Sequence, residues 1–116
     1  MTRLALVALG GAFGSVARYG IGVAFGETKW PAATLAINVV GSFLLGVVLT
    51  WGVARLSPDV RVGLAVGVLG GFTTYSTFSH DAATLDRRGA ALYVLASVVL
   101  GIAAALGGRS VGERLL

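Results

Sequence analysis

Four apolar runs joined by short connections leave this chain very little freedom of fold class. They extend from about Leu4 to Phe25, from about Trp30 to Val53, from near Val62 into the stretch Gly70 to Ser79, and from about Ala90 to Leu106. A hydrocarbon core about 30 Å thick needs about 20 apolar residues per crossing helix, and each run is close to that. Only 12% of the 116 residues are charged, against about 25% in a typical soluble domain. The polar side chains cannot cover a water-facing surface. The expected fold is an all-α membrane protein: one domain over residues 1–116, with four transmembrane helices and a broken third.

The connections read as Gly26–Lys29, Ala54–Arg61 with Pro58, and His80–Gly89 with its charges Asp81, Asp86, Arg87 and Arg88. Trp30 and Trp51 lie near the ends of span two, as interfacial anchors do. The opening Met1-Thr2-Arg3 followed by apolar residues resembles the start of a signal peptide. It lacks a small-residue cleavage pattern, and the apolar character continues past it. A retained first span is the expectation.

Several functions are disfavoured. There is no cysteine, so disulfide, thiolate and iron–sulfur chemistry are out. His80 is the one histidine, too little for a side-chain metal site. The net charge of +4 comes from cations that flank apolar runs rather than from one basic face, so nucleic-acid binding is not expected. No phosphate-cradling Gly-x-x-x-x-Gly-Lys motif is present. The acidic residues Glu27, Asp59, Asp81, Asp86 and Glu113 fall in or beside connections, which disfavours a proton-coupled carboxylate at mid-membrane.

Small residues repeat at four-residue spacing in Gly10/Gly14, Gly22/Gly26 and Gly63/Gly67/Gly71. In lipid such stripes let helix backbones approach closely. Four short helices enclose little interior, so a polar pathway calls for a second copy and a homodimer. With four spans, Arg3, Arg55, Arg61, Arg109 and Arg114 share one side, and Lys29, Arg87 and Arg88 the other, with Arg18 nearest to it. The usual cytoplasmic excess of positive charge is nearly absent, so the chain can insert in both directions and pair antiparallel.

The polar groups that remain inside are neutral. The stretch Gly70-Gly71-Phe72-Thr73-Thr74-Tyr75-Ser76-Thr77-Phe78-Ser79 carries five short hydroxyl side chains and three aromatic rings without a charge. If Gly70 and Gly71 break the helix, backbone groups are freed, which membrane depth tolerates only under protein or beside a cavity. Freed carbonyls suit a small cation; freed N–H groups and hydroxyls suit an anion. Tyr75 and Phe78 sit three apart on one helical face, and aromatic ring edges are electropositive. Span two carries Thr34, Asn38 and Ser42 on one face, and Asn38 can serve either as interhelical glue or in function. Span four adds Tyr93 and Ser97. Arg18 can snorkel to headgroups or sit at an anion-attracting vestibule. Composition does not choose between fluoride and chloride.

Three segments together resemble one family over essentially the whole chain: Gly10-Gly11-Ala12-Phe13-Gly14-Ser15-Val16-Ala17-Arg18-Tyr19, Thr34-Leu35-Ala36-Ile37-Asn38-Val39-Val40-Gly41-Ser42-Phe43, and Gly70 through Phe78. The family is the CrcB/Fluc fluoride channels. The resemblance implies an antiparallel, dual-topology homodimer with two fluoride pores, exporting toxic fluoride passively through the cell membrane of a prokaryote. It also implies a central Na+ at the dimer interface, held by the backbone carbonyls of Gly70 and Thr73. By motif, the pore's phenylalanine pair maps to Tyr75 and Phe78, the pore asparagine to Asn38, the span-four polar track to Tyr93 and Ser97, and the vestibule cation to Arg18. Thr77 joins the pore set from the hydroxyl stretch. Two positions depart from the pattern: Tyr75 stands where phenylalanine is usual, and Gly101 where serine can occur.

Two other classes fit the outline. A small proton-coupled multidrug exporter also has four spans, but it needs a first-span carboxylate and nothing acidic precedes Glu27. A non-transporting membrane subunit would make Asn38 and the hydroxyls packing glue, and would tolerate an apolar residue at Asn38.

Overall fold

Caps and helix-breaking residues divide the chain into helices and nothing else; the computed structural model describes residues 1–116. α1 spans Thr2–Phe25 and ends where Gly26 turns to a φ of +67°, open to glycine because it lacks a Cβ. α2 spans Ala32–Val48 and α3 Trp51–Arg55. α4, Pro58–Val62, is capped by Ser57, whose hydroxyl accepts from the Val60 N–H. It continues directly into a π-helical stretch, Gly63–Val68, and then α5, Leu69–Phe72. Two extended residues, Thr73 and Thr74, separate α5 from α6, Tyr75–Thr84. α7, Arg87–Arg114, starts on Asp86, whose carboxylate accepts from the Gly89 N–H.

The packing is inside out by the standards of a soluble protein. Only 14 of the 116 residues are buried, and Ile37, Leu69, Phe72 and Tyr93 are the only large ones. Leu9, Phe13 and Val16 on α1, and Leu92, Leu95 and Ile102 on α7, face outward. A continuous apolar exterior of this kind belongs against lipid. α1 and α7 are long and apolar enough to cross a membrane, and α2 is a shorter apolar helix. The long dimension of 45 Å is close to a whole bilayer with its headgroups, about 40–45 Å. This is an all-α membrane protein.

Glycine backbones make the contacts that large side chains do not. α1 lies along the π-helical stretch and α5, and α2 lies along α7. A Cβ added at Gly10 would stand 2.7 Å from the Gly63 carbonyl oxygen, and one at Gly71 would stand 2.5 Å from that of Gly11. One at Gly14 would collide with the Val68 carbonyl. The Gly10/Gly14 and Gly63/Gly67/Gly71 stripes are therefore packing seams, as the spacing predicts. The Gly22/Gly26 pair is not, since neither has a neighbour within 4 Å. On the α2–α7 seam, Gly46 meets the Ala105 carbonyl and Gly108 the Phe43 carbonyl. No stripe flagged that seam, because Gly108 and Gly112 lie beyond the expected end of span four.

Four boundaries differ from expectation, each for a physical reason. Gly70 and Gly71 stay helical and the break falls at Thr73–Thr74; Gly71 spends its missing Cβ on the approach to Gly11. Span two is interrupted at Leu49–Thr50, where the Thr50 hydroxyl donates to the Gly46 carbonyl at 2.8 Å and competes with the backbone ladder. α6 continues through His80 to Thr84, so Asp81 is on a helix rather than in a connection. α7 runs on to Arg114, past the apolar limit at Leu106, with Arg109 and Glu113 paired at 3.8 Å on its last turns.

Contacts at one end of the bundle gather distant parts of the chain. Arg3 Nη2 lies 2.6 Å from Asp59 Oδ1, and Arg55 Nη2 donates to the Leu116 carbonyl at 3.2 Å. Both termini and the α3–α4 connection thus share that end.

Candidate functional site

The break between α5 and α6 is held open by a side chain from α2. Asn38 Nδ2 donates to the Thr74 carbonyl at 3.0 Å, while Asn38 Oδ1 accepts from the Thr74 N–H at 2.8 Å. Thr74 is extended, with φ −149° and ψ 117°, so both its backbone groups point sideways as in a strand. One of the amide's two N–H groups and its oxygen satisfy both. Of its two alternatives, glue and function, Asn38 meets the first directly and shapes the ground for the second.

This pairing displaces hydrogen bonds that a continuous helix would make. The Thr74 N–H would serve the Gly70 carbonyl but goes to Asn38. The Thr77 N–H would serve the Thr73 carbonyl but goes to the Thr74 hydroxyl at 3.2 Å. The two carbonyls named from the sequence as cation ligands are thus among those at the end of α5 that lose their helical donors. Neutral carbonyl oxygens are the ligand type a hard cation takes, so the residues present fit a small ion such as Na+.

Beside the break lies an open cleft of about 440 Å³, whose wall includes Asn38, Ser42, Gly70, Thr73, Tyr75, Phe78 and Ser97. It brings together six of the nine residues selected from the sequence. Part of the hydroxyl set is already engaged. Thr73 Oγ1 donates to the Leu69 carbonyl at 2.9 Å, and Ser42 Oγ to the Asn38 carbonyl at 2.7 Å. Thr74 Oγ1 donates to Thr77 Oγ1 at 3.1 Å. Ser97 is different: its Oγ is buried and has no partner. A buried hydroxyl left unpaired is destabilising, and this one belongs to a residue of the cleft wall.

Aromatic rings continue from the cleft into the bundle. Tyr75 and Phe78 have centroids 5.8 Å apart, as their three-residue spacing predicts, and Phe78 and Tyr93 are 5.3 Å apart. Tyr93 is wholly buried and its hydroxyl makes no close hydrogen bond, with Thr34 and the Asp81 carboxylate as its polar neighbours. It stands behind Phe78 rather than on the cleft wall. Trp30 packs against it nearly at right angles, at 5.4 Å and 82°. The sequence suggested an interfacial anchor for Trp30, and the ring contact went unseen.

Two selected residues stand apart. Thr77 is exposed and bound to the Thr74 hydroxyl, and half-buried Arg18 lies on α1 away from the cleft wall. A polar contact that sequence reasoning missed is Thr34 Oγ1 donating to Asp81 Oδ2 at 2.9 Å, which ties α2 to α6. Thr34 sits one turn before Asn38 on the same face, and that was the available signal.

Comparison with known proteins gives a consistent picture. The family profile described as "CrcB-like protein, Camphor Resistance (CrcB)" matches residues 5–109. The chain is 48% identical to a protein of Agrobacterium fabrum named "Fluoride-specific ion channel FluC", over 99% of each chain. It is 48% identical to one of the same name from Rhodospirillum centenum, over 88% of each. A third of that name, from Thermus thermophilus, is 43% identical over 100% of this chain and 99% of its own.

Proposed function

The chain belongs to the CrcB-like family, and from that premise we propose that it is a fluoride-specific ion channel, passing fluoride out of the cytoplasm down its gradient and so lowering its toxicity. It is a channel and not an enzyme. The observation that carries the reading is a neutral cleft, beside a helix break, whose wall includes Ser97, a residue with a buried hydroxyl that has no protein partner.

The chemistry follows from what fluoride demands. The ion is small and strongly hydrated, so a path must replace its water with donors. A carboxylate would repel it, and a fixed cation at close range would trap it. Ser97 Oγ is a donor left free by the fold, and the Tyr93 hydroxyl is a second, bordered by Thr34 and Asp81. The Tyr75 and Phe78 rings add electropositive edges. Asn38 is committed to Thr74 and keeps the extended backbone in place beside them. Thr77 and Arg18 belong to the approaches, with Arg18 enriching anions near one mouth.

The finer architecture is part of the same proposal. Four crossings, by α1, α2–α3, α4–α6 and α7, would return both ends of the chain to one face, which the Arg3–Asp59 and Arg55–Leu116 contacts support. An antiparallel homodimer in the plasma membrane is supported by the nearly balanced cations and by Tyr75, which lines the cleft yet is 81% exposed in one protomer. A second copy would cover that ring and close the path. At the dimer centre, the Gly70 and Thr73 carbonyls would hold Na+. When bound, the ion would offset the dipoles of carbonyls that have lost their helical donors.

The test is ion efflux from liposomes containing the purified protein. Fluoride should leave quickly, chloride barely, and neither should need a proton gradient. Equal fluoride and chloride rates would overturn the specificity, and no fluoride efflux at all would overturn the function.

A further inference from the structure

We propose that Trp30 is a positioning residue of the ion path, acting through Tyr93. The inference rests on the channel reading above and adds to it a residue outside the cleft. Four rings stand in sequence, Tyr75, Phe78, Tyr93 and Trp30, with successive centroids 5.8, 5.3 and 5.4 Å apart. The first two belong to the cleft wall and the third carries an unpartnered buried hydroxyl. The Thr34–Asp81 pair borders that hydroxyl without a close hydrogen bond to it, so the ring is located chiefly by its aromatic neighbours. Phe78 meets it at 45° and Trp30 at 82°. A perpendicular contact sets an electropositive edge against an electronegative face and resists sliding.

Trp30 is itself held at the backbone. Its carbonyl accepts two hydrogen bonds, from Thr28 Oγ1 at 2.6 Å and from the Ala32 N–H at 2.7 Å. Pro31 follows it at the start of α2, with φ −76°, and further restricts the turn. A residue ahead of the helix is thereby tied to the chain on both sides of it. An interfacial tryptophan needs only to reach the headgroups, and neither the two hydrogen bonds to its carbonyl nor the right-angle contact with Tyr93 serves that purpose. Trp30 therefore fixes where the Tyr93 hydroxyl stands, and through Phe78 the same column steadies the aromatic edge of the cleft.

The experiment measures fluoride efflux from liposomes for the unaltered protein, Trp30→Leu, Trp30→Phe, Tyr93→Phe and the double variant Trp30→Leu/Tyr93→Phe. Dimer yield and elution position accompany each. Trp30→Leu should slow efflux about fivefold, the scale of one aromatic pair, and Trp30→Phe should restore at least about half of the loss. In the Tyr93→Phe background, where the hydroxyl is gone, Trp30→Leu should add little, because residues acting as one unit are not additive. Full efflux from Trp30→Leu, equal loss in the leucine and phenylalanine variants, or additive losses in the double variant would each overturn the proposal. If Trp30→Leu does not fold, Thr28→Val supplies the test by removing one of the two hydrogen bonds to the carbonyl while keeping the ring. Slowed efflux that vanishes in the Tyr93→Phe background supports the role, and unchanged efflux overturns it. An unaltered protein that passes no fluoride refutes the channel reading, an outcome distinct from all of these.

Discussion

Asn38 and Thr74 are joined by two hydrogen bonds of opposite sense, 3.0 Å from amide nitrogen to carbonyl and 2.8 Å from N–H to amide oxygen. One side chain thus does for an extended residue what a neighbouring strand would do. It also explains how a helix can stop within an apolar bundle without stranding its polar groups.

Replacing Asn38 should be costly in two ways. Asn38→Leu leaves the Thr74 N–H and carbonyl unpaired, a loss of about 2–6 kcal/mol at about 1–3 kcal/mol for each group. Fluoride efflux should fall about tenfold or more, and the Thr74 amide should lose protection in hydrogen exchange. Wild-type efflux from this variant would mean the clamp is not needed for conduction.

Ser97 should show stability and conduction moving apart. Removing a buried unpaired hydroxyl relieves a desolvation penalty, so Ser97→Ala should raise stability by about 1 kcal/mol or leave it unchanged. The same change should slow fluoride efflux, because a donor has gone from the cleft wall. Thermal unfolding in detergent and liposome efflux together decide the matter. A variant that loses stability would show that the hydroxyl has a structural partner after all.

Glycine substitutions should separate seam from lipid face. Gly14→Ala drives a methyl into the Val68 carbonyl and should destabilise by about 1–3 kcal/mol. Gly22→Ala meets nothing within 4 Å and should be neutral or stabilising by up to about 1 kcal/mol. Equal thermal midpoints for the two variants would contradict the described contact between α1 and the π-helical stretch.

Phe78 touches both Tyr75 and Tyr93, so Phe78→Leu should remove an aromatic edge from the cleft and loosen the ring behind it. Fluoride efflux should fall about tenfold. Efflux at the wild-type rate would remove Phe78 from the path.

The candidate site was more legible than the contacts that hold it. Asn38 stood out because an amide within an apolar run is expensive wherever it lies. Its partner did not, since Thr74 is 36 residues away and the pairing is purely tertiary. The pair Tyr75 and Phe78 followed from helical spacing alone. The break was expected at Gly70 and Gly71, where propensity is lowest, but it fell where Asn38 could satisfy an extended residue and where Gly71 was already committed to Gly11. Asp81 read as a loop charge because the polar composition after Ser79 resembles a connection, although the helix continues to Thr84. The α2–α7 seam was hidden because its glycines extend beyond the apolar run that marked the span.

The π-helical stretch has a bearing on how the break is aimed. Its coil is wider than an α-helix, as the Leu69 N–H bonding to the Leu64 carbonyl illustrates, so the rod from Pro58 to Phe72 turns less per residue there. The compass direction in which Thr73 leaves the rod is therefore decided upstream, by the number of residues the wide coil absorbs. Excising one of them would swing that exit by one residue's turn of the wide coil, less than the about 100° of an α-helical residue, and the threonines would turn away from Asn38 without any change in their own neighbourhood.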